Sequence, residues 1–136
     1  MSSMSPLPQP LVAVREVLAA MPEIELAFVF GSAAQGRLRP DSDLDVAVQT
    51  REPLDTAAKF ELIGRLAQAT GRAVDLIDLG AAGSVLLGQI LQHGQRVIGT
   101  DAEHARLLTR HLIDAADFMP CIERVQHERR RAWIGR

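Results

Sequence analysis

Residues Phe28 to Val48 read F-V-F-G-S-A-A-Q-G-R-L-R-P-D-S-D-L-D-V-A-V, and the fold follows from how that stretch divides. An apolar run ends at Gly31-Ser32, a polar loop follows, and a second apolar run opens with two aspartates one residue apart. Side chains of a strand alternate between faces. Asp43 and Asp45 are therefore expected on one face, with Leu44, Val46 and Val48 pointing into a core. Two carboxylates about 7 Å apart repel by roughly 2 kcal/mol at an effective dielectric near 20, so the pair calls for a cation.

The segment Arg72-Ala-Val-Asp75-Leu-Ile-Asp78-Leu reads as another strand with a carboxylate inside an apolar run. Paired beside the first, it brings in Asp75 to complete a cluster of three, whereas Asp78 falls on the opposite face and ends the strand. Hard oxygen ligands, few in number and with room for water, suit Mg²⁺ better than zinc. Gly31-Ser32 offers the complementary half of a site, because glycine lets the backbone approach a ligand and free N–H groups at a helix start attract phosphate oxygens. An anion cradle joined by one loop to a metal cluster suggests a nucleoside triphosphate with its Mg²⁺.

Gly31-Ser32, ten intervening residues, Asp43-Leu44-Asp45 and the later Val74-Asp75-Leu76 resemble the signature of the polymerase-beta-like nucleotidyltransferase superfamily. Within it, the short chain and the V-D-L-I-D-L stretch are similar to the minimal nucleotidyltransferase (MNT) domains, antitoxin partners of HEPN-domain toxins. The likeness covers roughly residues 10 to 100. It implies a palm-like α/β (α+β) fold, a small mixed sheet flanked by helices. The reaction expected from it is transfer of AMP from ATP. Two Mg²⁺ ions would be held by Asp43, Asp45 and Asp75, with Asp75 also favouring deprotonation of the acceptor hydroxyl. Gly31 and Ser32 would hold the β and γ phosphates. Many relatives carry Arg where this chain has Gln35, so a basic contact to the triphosphate is either missing or supplied by Arg37 or Arg39.

The implied acceptor is a hydroxyl of a HEPN toxin, often a tyrosine. This chain contains no Tyr, so tyrosine modification happens in trans. A domain of this size has no second lobe to enclose a substrate, so the far wall of the cleft comes from a partner or a second copy, in a homo- or hetero-oligomer. Two alternatives stand beside the antitoxin enzyme: an antitoxin that neutralises by docking alone, and an adenylyltransferase for small molecules of the aminoglycoside type.

Plainer readings account for less. A polar turn explains Asp41 and Ser42 but not Asp45, already followed by Val46-Ala-Val48. Asp41, Asp43, Asp45 and Glu52 occupy EF-hand positions, yet Val46 stands where the sharp turn needs glycine. Gly80 to Gly88 lacks the dinucleotide fingerprint. His104 and His111 are two helical turns apart, too far to share an ion, and His93 sits at a helix end.

At 136 residues with 47% apolar content, the chain is one folded domain. A net charge of −2 gives no general attraction to nucleic acid or anionic membrane. No apolar run is long enough to span a bilayer, the first ten residues lack a signal-peptide pattern, and the lone Cys121 fits a reducing compartment, so a cytoplasmic protein is expected.

Residues 1–9 are expected to be a flexible N-terminus, 10–100 the nucleotidyltransferase domain, and 101–136 a C-terminal helical extension packing on the domain or a partner. Leu11, Val14, Leu18 and Met21 share one helix face before Pro22. Glu25 to Phe30 reads as a central strand. Leu54, Ala58, Leu62 and Leu66 mark a helix closed by Thr70-Gly71. Ser84 is expected to cap a helix running to Gln92, and Gln95 to Ile98 to form an edge strand. In the extension, Leu108, Leu112, Ala115, Met119 and Ile122 form a stripe expected to cover the domain's own sheet, the alternative being a face that meets another subunit, with Pro120 kinking or interrupting the helix. Arg129 to Trp133 reads as a solvated helix end.

Overall fold

The computed structural model describes residues 9–31 and 42–114. Ser32, Gln35, Arg37, Arg39, Asp41, Pro120, Cys121 and the segment Arg129 to Trp133 lie outside the described residues, as do the stripe residues Ala115, Met119 and Ile122.

Helix α1 (Gln9–Ala19) opens one residue before Pro10 and buries Leu11, Val14 and Leu18, the face its apolar spacing marks. Strand β1 (Ile24–Phe30) is followed by β2 (Leu44–Thr50), and helix α2 (Thr56–Thr70) carries the chain over to β3 (Val74–Asp78). Asp55 caps α2 by accepting from the Ala58 N–H at 2.7 Å. At the other end Gly71, left-handed at φ 70°, donates its N–H to the Ala67 carbonyl. Helix α3 (Ser84–His93) leads into β4 (Gln95–Ile98). Here the cap differs from expectation: Gly83 is the N-cap, Ser84 is the first helical residue, and no side chain caps the end.

A further helix, α4, takes residues 101–114. Thr100 and Glu103 start it with a reciprocal pair of bonds: the Thr100 N–H donates to Glu103 Oε1 at 3.0 Å, and the Glu103 N–H donates to Thr100 Oγ1 at 3.2 Å.

The four strands form one mixed sheet in the order β3-β2-β1-β4. β1 is antiparallel to both β2 and β4, and β2 is parallel to β3. A parallel pair needs a crossover, and α2 supplies it. Both faces of the sheet are covered. On one, Leu44, Val46, Val48 and Leu76 pack with α1 and α2 residues Leu11, Val14, Leu18, Leu62 and Leu66. On the other, Leu26, Phe28 and Ala47 pack with Leu87 and Ile90 of α3 and Leu107 of α4. Coverage on two sides is why β1 reads as a continuous apolar run rather than an alternation.

The α4 stripe is a correction. Leu107 is the residue that enters the core, while Leu108, Leu112 and Ile113 are exposed. The helix is rotated by the edge contact of His104 on Phe28 and by the His111 ring, which seats where Gly88 has no side chain. Among the described residues no helix is long and apolar enough to cross a membrane.

Candidate active site

The carboxylates come together at one end of the sheet through strand register. Parallel pairing sets Asp45 of β2 beside Asp75 of β3, and antiparallel pairing sets Phe30 of β1 on the other side of Asp45. All three share the face that carries Ala47 and Ile77. Asp43 lies just ahead of the β2 ladder, which opens at Leu44, and it is exposed. Asp75 is exposed as well, whereas Asp45 is partly buried.

Burial between neighbours, then the negative charges of Asp75 and Asp43, push the Asp45 carboxyl above its ordinary value. Each cause disfavours a charge that a cation would favour, and that is the observation by which the donor set fits a hard divalent ion. Among the described residues no three His, Cys, Asp or Glu side chains stand close enough to hold one ion as they are oriented here.

Gly31 closes the end of β1 in a left-handed conformation at φ 74°. A Cβ on it would stand 2.5 Å from Asp45 Oδ2. The bare backbone at this turn is thus what admits the Asp45 carboxylate. Ser32 and Arg37 belong to the segment outside the described residues. Asp78 takes no part in the cluster; its Oδ1 accepts from the Gly80 N–H at 2.9 Å and shapes the turn after β3.

One contact at the site carries no motif in the sequence. Arg72 Nη1 donates to the Ser42 carbonyl at 3.3 Å, joining the segment ahead of Asp43 to the residue that leads into β3. Its only trace in the sequence is a cation three residues before Asp75.

A separate cleft of about 630 Å³ opens between the start of α3 and α4, lined by Ala82, Val85, Leu86, Arg110 and His111 among others. It shares no residue with the acidic cluster, and Val85 on its wall is exposed.

A family model described as "Polymerase beta, Nucleotidyltransferase" matches residues 13–103. The protein adenylyltransferase MntA of Shewanella oneidensis is 39% identical over 83 residues, which are 61% of this chain and 60% of that one. The chain therefore spans about three fifths of the length of this curated relative. A solved toxin–antitoxin structure with AMP-PNP superposes with a TM-score of 0.68 at 30% identity, covering 85% of this chain and 98% of that one. A structure of tri-AMPylated Shewanella oneidensis HEPN toxin in complex with MNT antitoxin gives 0.60 at 26% identity, covering 86% and 98%.

Proposed function

Because the chain belongs to the polymerase-beta nucleotidyltransferase family, we propose that it is a Mg²⁺-dependent protein adenylyltransferase. In this reading it transfers AMP from ATP to a hydroxyl of a HEPN-domain toxin in the cytoplasm and so acts as its antitoxin. The observation that carries the reading is the Asp45–Asp75 register, with the Asp45 carboxyl pushed up beside its two neighbours. The likeness to the protein adenylyltransferase MntA and to toxin–antitoxin structures, one with AMP-PNP and one with an AMPylated toxin, supports the substrate and the partner.

Asp43, Asp45 and Asp75 would hold the metal. When bound, Mg²⁺ draws charge from the reacting phosphate oxygens and aligns the entering and leaving groups. Asp75, exposed on β3, receives the proton of the acceptor hydroxyl. The acceptor oxygen forms a bond to the α-phosphorus of ATP, the bond from that phosphorus to the bridging oxygen breaks, and pyrophosphate leaves. Gly31 leaves its backbone open to the polyphosphate, with Ser32 and Arg37 assigned to phosphate contacts by sequence. Asp45, seated against Gly31, keeps the metal end and the phosphate end of the site in one frame.

Incubation with α-labelled ATP, Mg²⁺ and the cognate HEPN toxin, followed by intact mass of the toxin, tests the reading. One or more AMP increments on the toxin are expected, and none with Asp43→Ala plus Asp45→Ala. The exposed Val85, Leu108, Leu112 and Ile113 favour a second reading, neutralisation by docking alone. That reading gains if the double variant still neutralises the toxin.

A further inference from the structure

Asp43 stands outside the β2 ladder, so strand pairing does not itself fix it. Two bonds to the segment that leads into Asp75 flank it. On the near side of Asp43, the Ser42 carbonyl accepts from Arg72 Nη1 at 3.3 Å. On the far side, the Leu44 N–H donates to the Ala73 carbonyl at 2.9 Å. Asp43 is thus bracketed by two bonds from consecutive residues of another strand's entry. Arg72 is itself aimed by the end of α2, where Gly71 turns the chain through a left-handed conformation.

This guanidinium contacts a carbonyl, and it is not among the groups that perturb Asp45.

We propose that Arg72 is a positioning residue, which through the Ser42 carbonyl holds Asp43 within reach of the ion shared with Asp45 and Asp75. The inference rests on the reading of these three aspartates as metal ligands. Arg72→Met keeps the length of the stem and removes the donors. Arg72→Lys keeps one donor group on a more flexible stem.

Three readouts on the full chain test this. Mn²⁺ affinity, followed by electron paramagnetic resonance without nucleotide, is expected to weaken by about tenfold in Arg72→Met, the usual scale for losing a group that orients a ligand. Hydrogen exchange at the Leu44 amide is expected to speed up. In AMP transfer to the toxin, kcat is expected to fall by about tenfold or more with the KM for ATP nearly unchanged. Arg72→Lys lies between wild type and Arg72→Met on all three, and it decides the question alone if Arg72→Met does not fold.

Unchanged Mn²⁺ affinity with an unchanged Leu44 amide overturns the proposal. So does a raised KM for ATP at constant kcat, which would make Arg72 a phosphate contact. A wild-type chain that transfers no AMP defeats the function proposed above, whereas Mn²⁺ binding and amide exchange still judge Arg72.

Discussion

Replacing Gly31 with alanine tests the joint between the turn and the acidic cluster. Two costs arise, and they can be separated. An L-residue held in the left-handed region costs about 1–2 kcal/mol, and Gly31 sits there at φ 74°. The new Cβ would lie 2.5 Å from Asp45 Oδ2, so the carboxylate retreats by about 0.9 Å to regain ordinary contact at 3.4 Å. Pushing a side chain off its rotamer costs about 0.5–1.5 kcal/mol. Together the loss is about 1.5–3.5 kcal/mol, or about 5–12 °C in Tm for a domain of this size. A displacement near 1 Å at a reacting centre costs about 100-fold in rate.

Thermal unfolding and single-turnover AMP transfer measure the two losses. Gly31→Asn, which tolerates the left-handed backbone better, recovers part of the Tm while keeping the rate defect. In an Asp45→Ala background, Gly31→Ala costs only the backbone part, about 1–2 kcal/mol. A Gly31→Ala protein that melts within about 2 °C of wild type and transfers AMP at the wild-type rate would refute the reasoning.

Asp45→Asn is expected to raise the Tm of the metal-free protein at neutral pH. The folded chain holds the Asp45 proton more tightly than the unfolded chain does, so stability falls as pH rises from the ordinary 3.8 through the raised value. Melts in chelator from pH 3.5 to 8 check the sign: the gain should fade at the acid end, and identical curves for both proteins contradict it. Asp55→Ala removes the α2 cap and is expected to cost about 1 kcal/mol in urea unfolding with the m-value unchanged. Gly88→Ala places a Cβ 3.3 Å from the His111 ring; exchange of the α4 amides should quicken while the β1 and β2 amides stay protected, and uniform protection would count against that seat.

The half of the fold that carries the acidic cluster was readable because its signals are local. Alternation in Leu44-Asp45-Val46 and Val74-Asp75-Leu76 fixes which face each residue takes, and the register then sets Asp45 beside Asp75. Less local facts escaped. Asp43 looked like a strand residue by alternation, but the β2–β3 ladder starts one residue later, at Leu44 opposite Val74. Helical spacing in α4 marked Leu108 and Leu112, yet periodicity reports only that a stripe exists. Its direction is set by His104 on Phe28 and His111 on Gly88, contacts to residues far away in the chain. Thr100-x-x-Glu103, by contrast, was a legible helix start that spacing arguments passed over. The bond from Arg72 to Ser42 left no pattern because its acceptor is a backbone carbonyl, which every residue has.

The α2 crossover has a meaning for how the protein is made. A ribosome that has released residues only as far as Thr50 has exposed two of the three acidic groups with no neighbour strand to hold them. The sheet closes on its other edge only with β4. The roughly fifty residues from Asp45 to Ile98 take about 3–10 s to synthesise at about 5–20 residues per second. The third carboxylate therefore joins the other two only after the α2 crossover has been made.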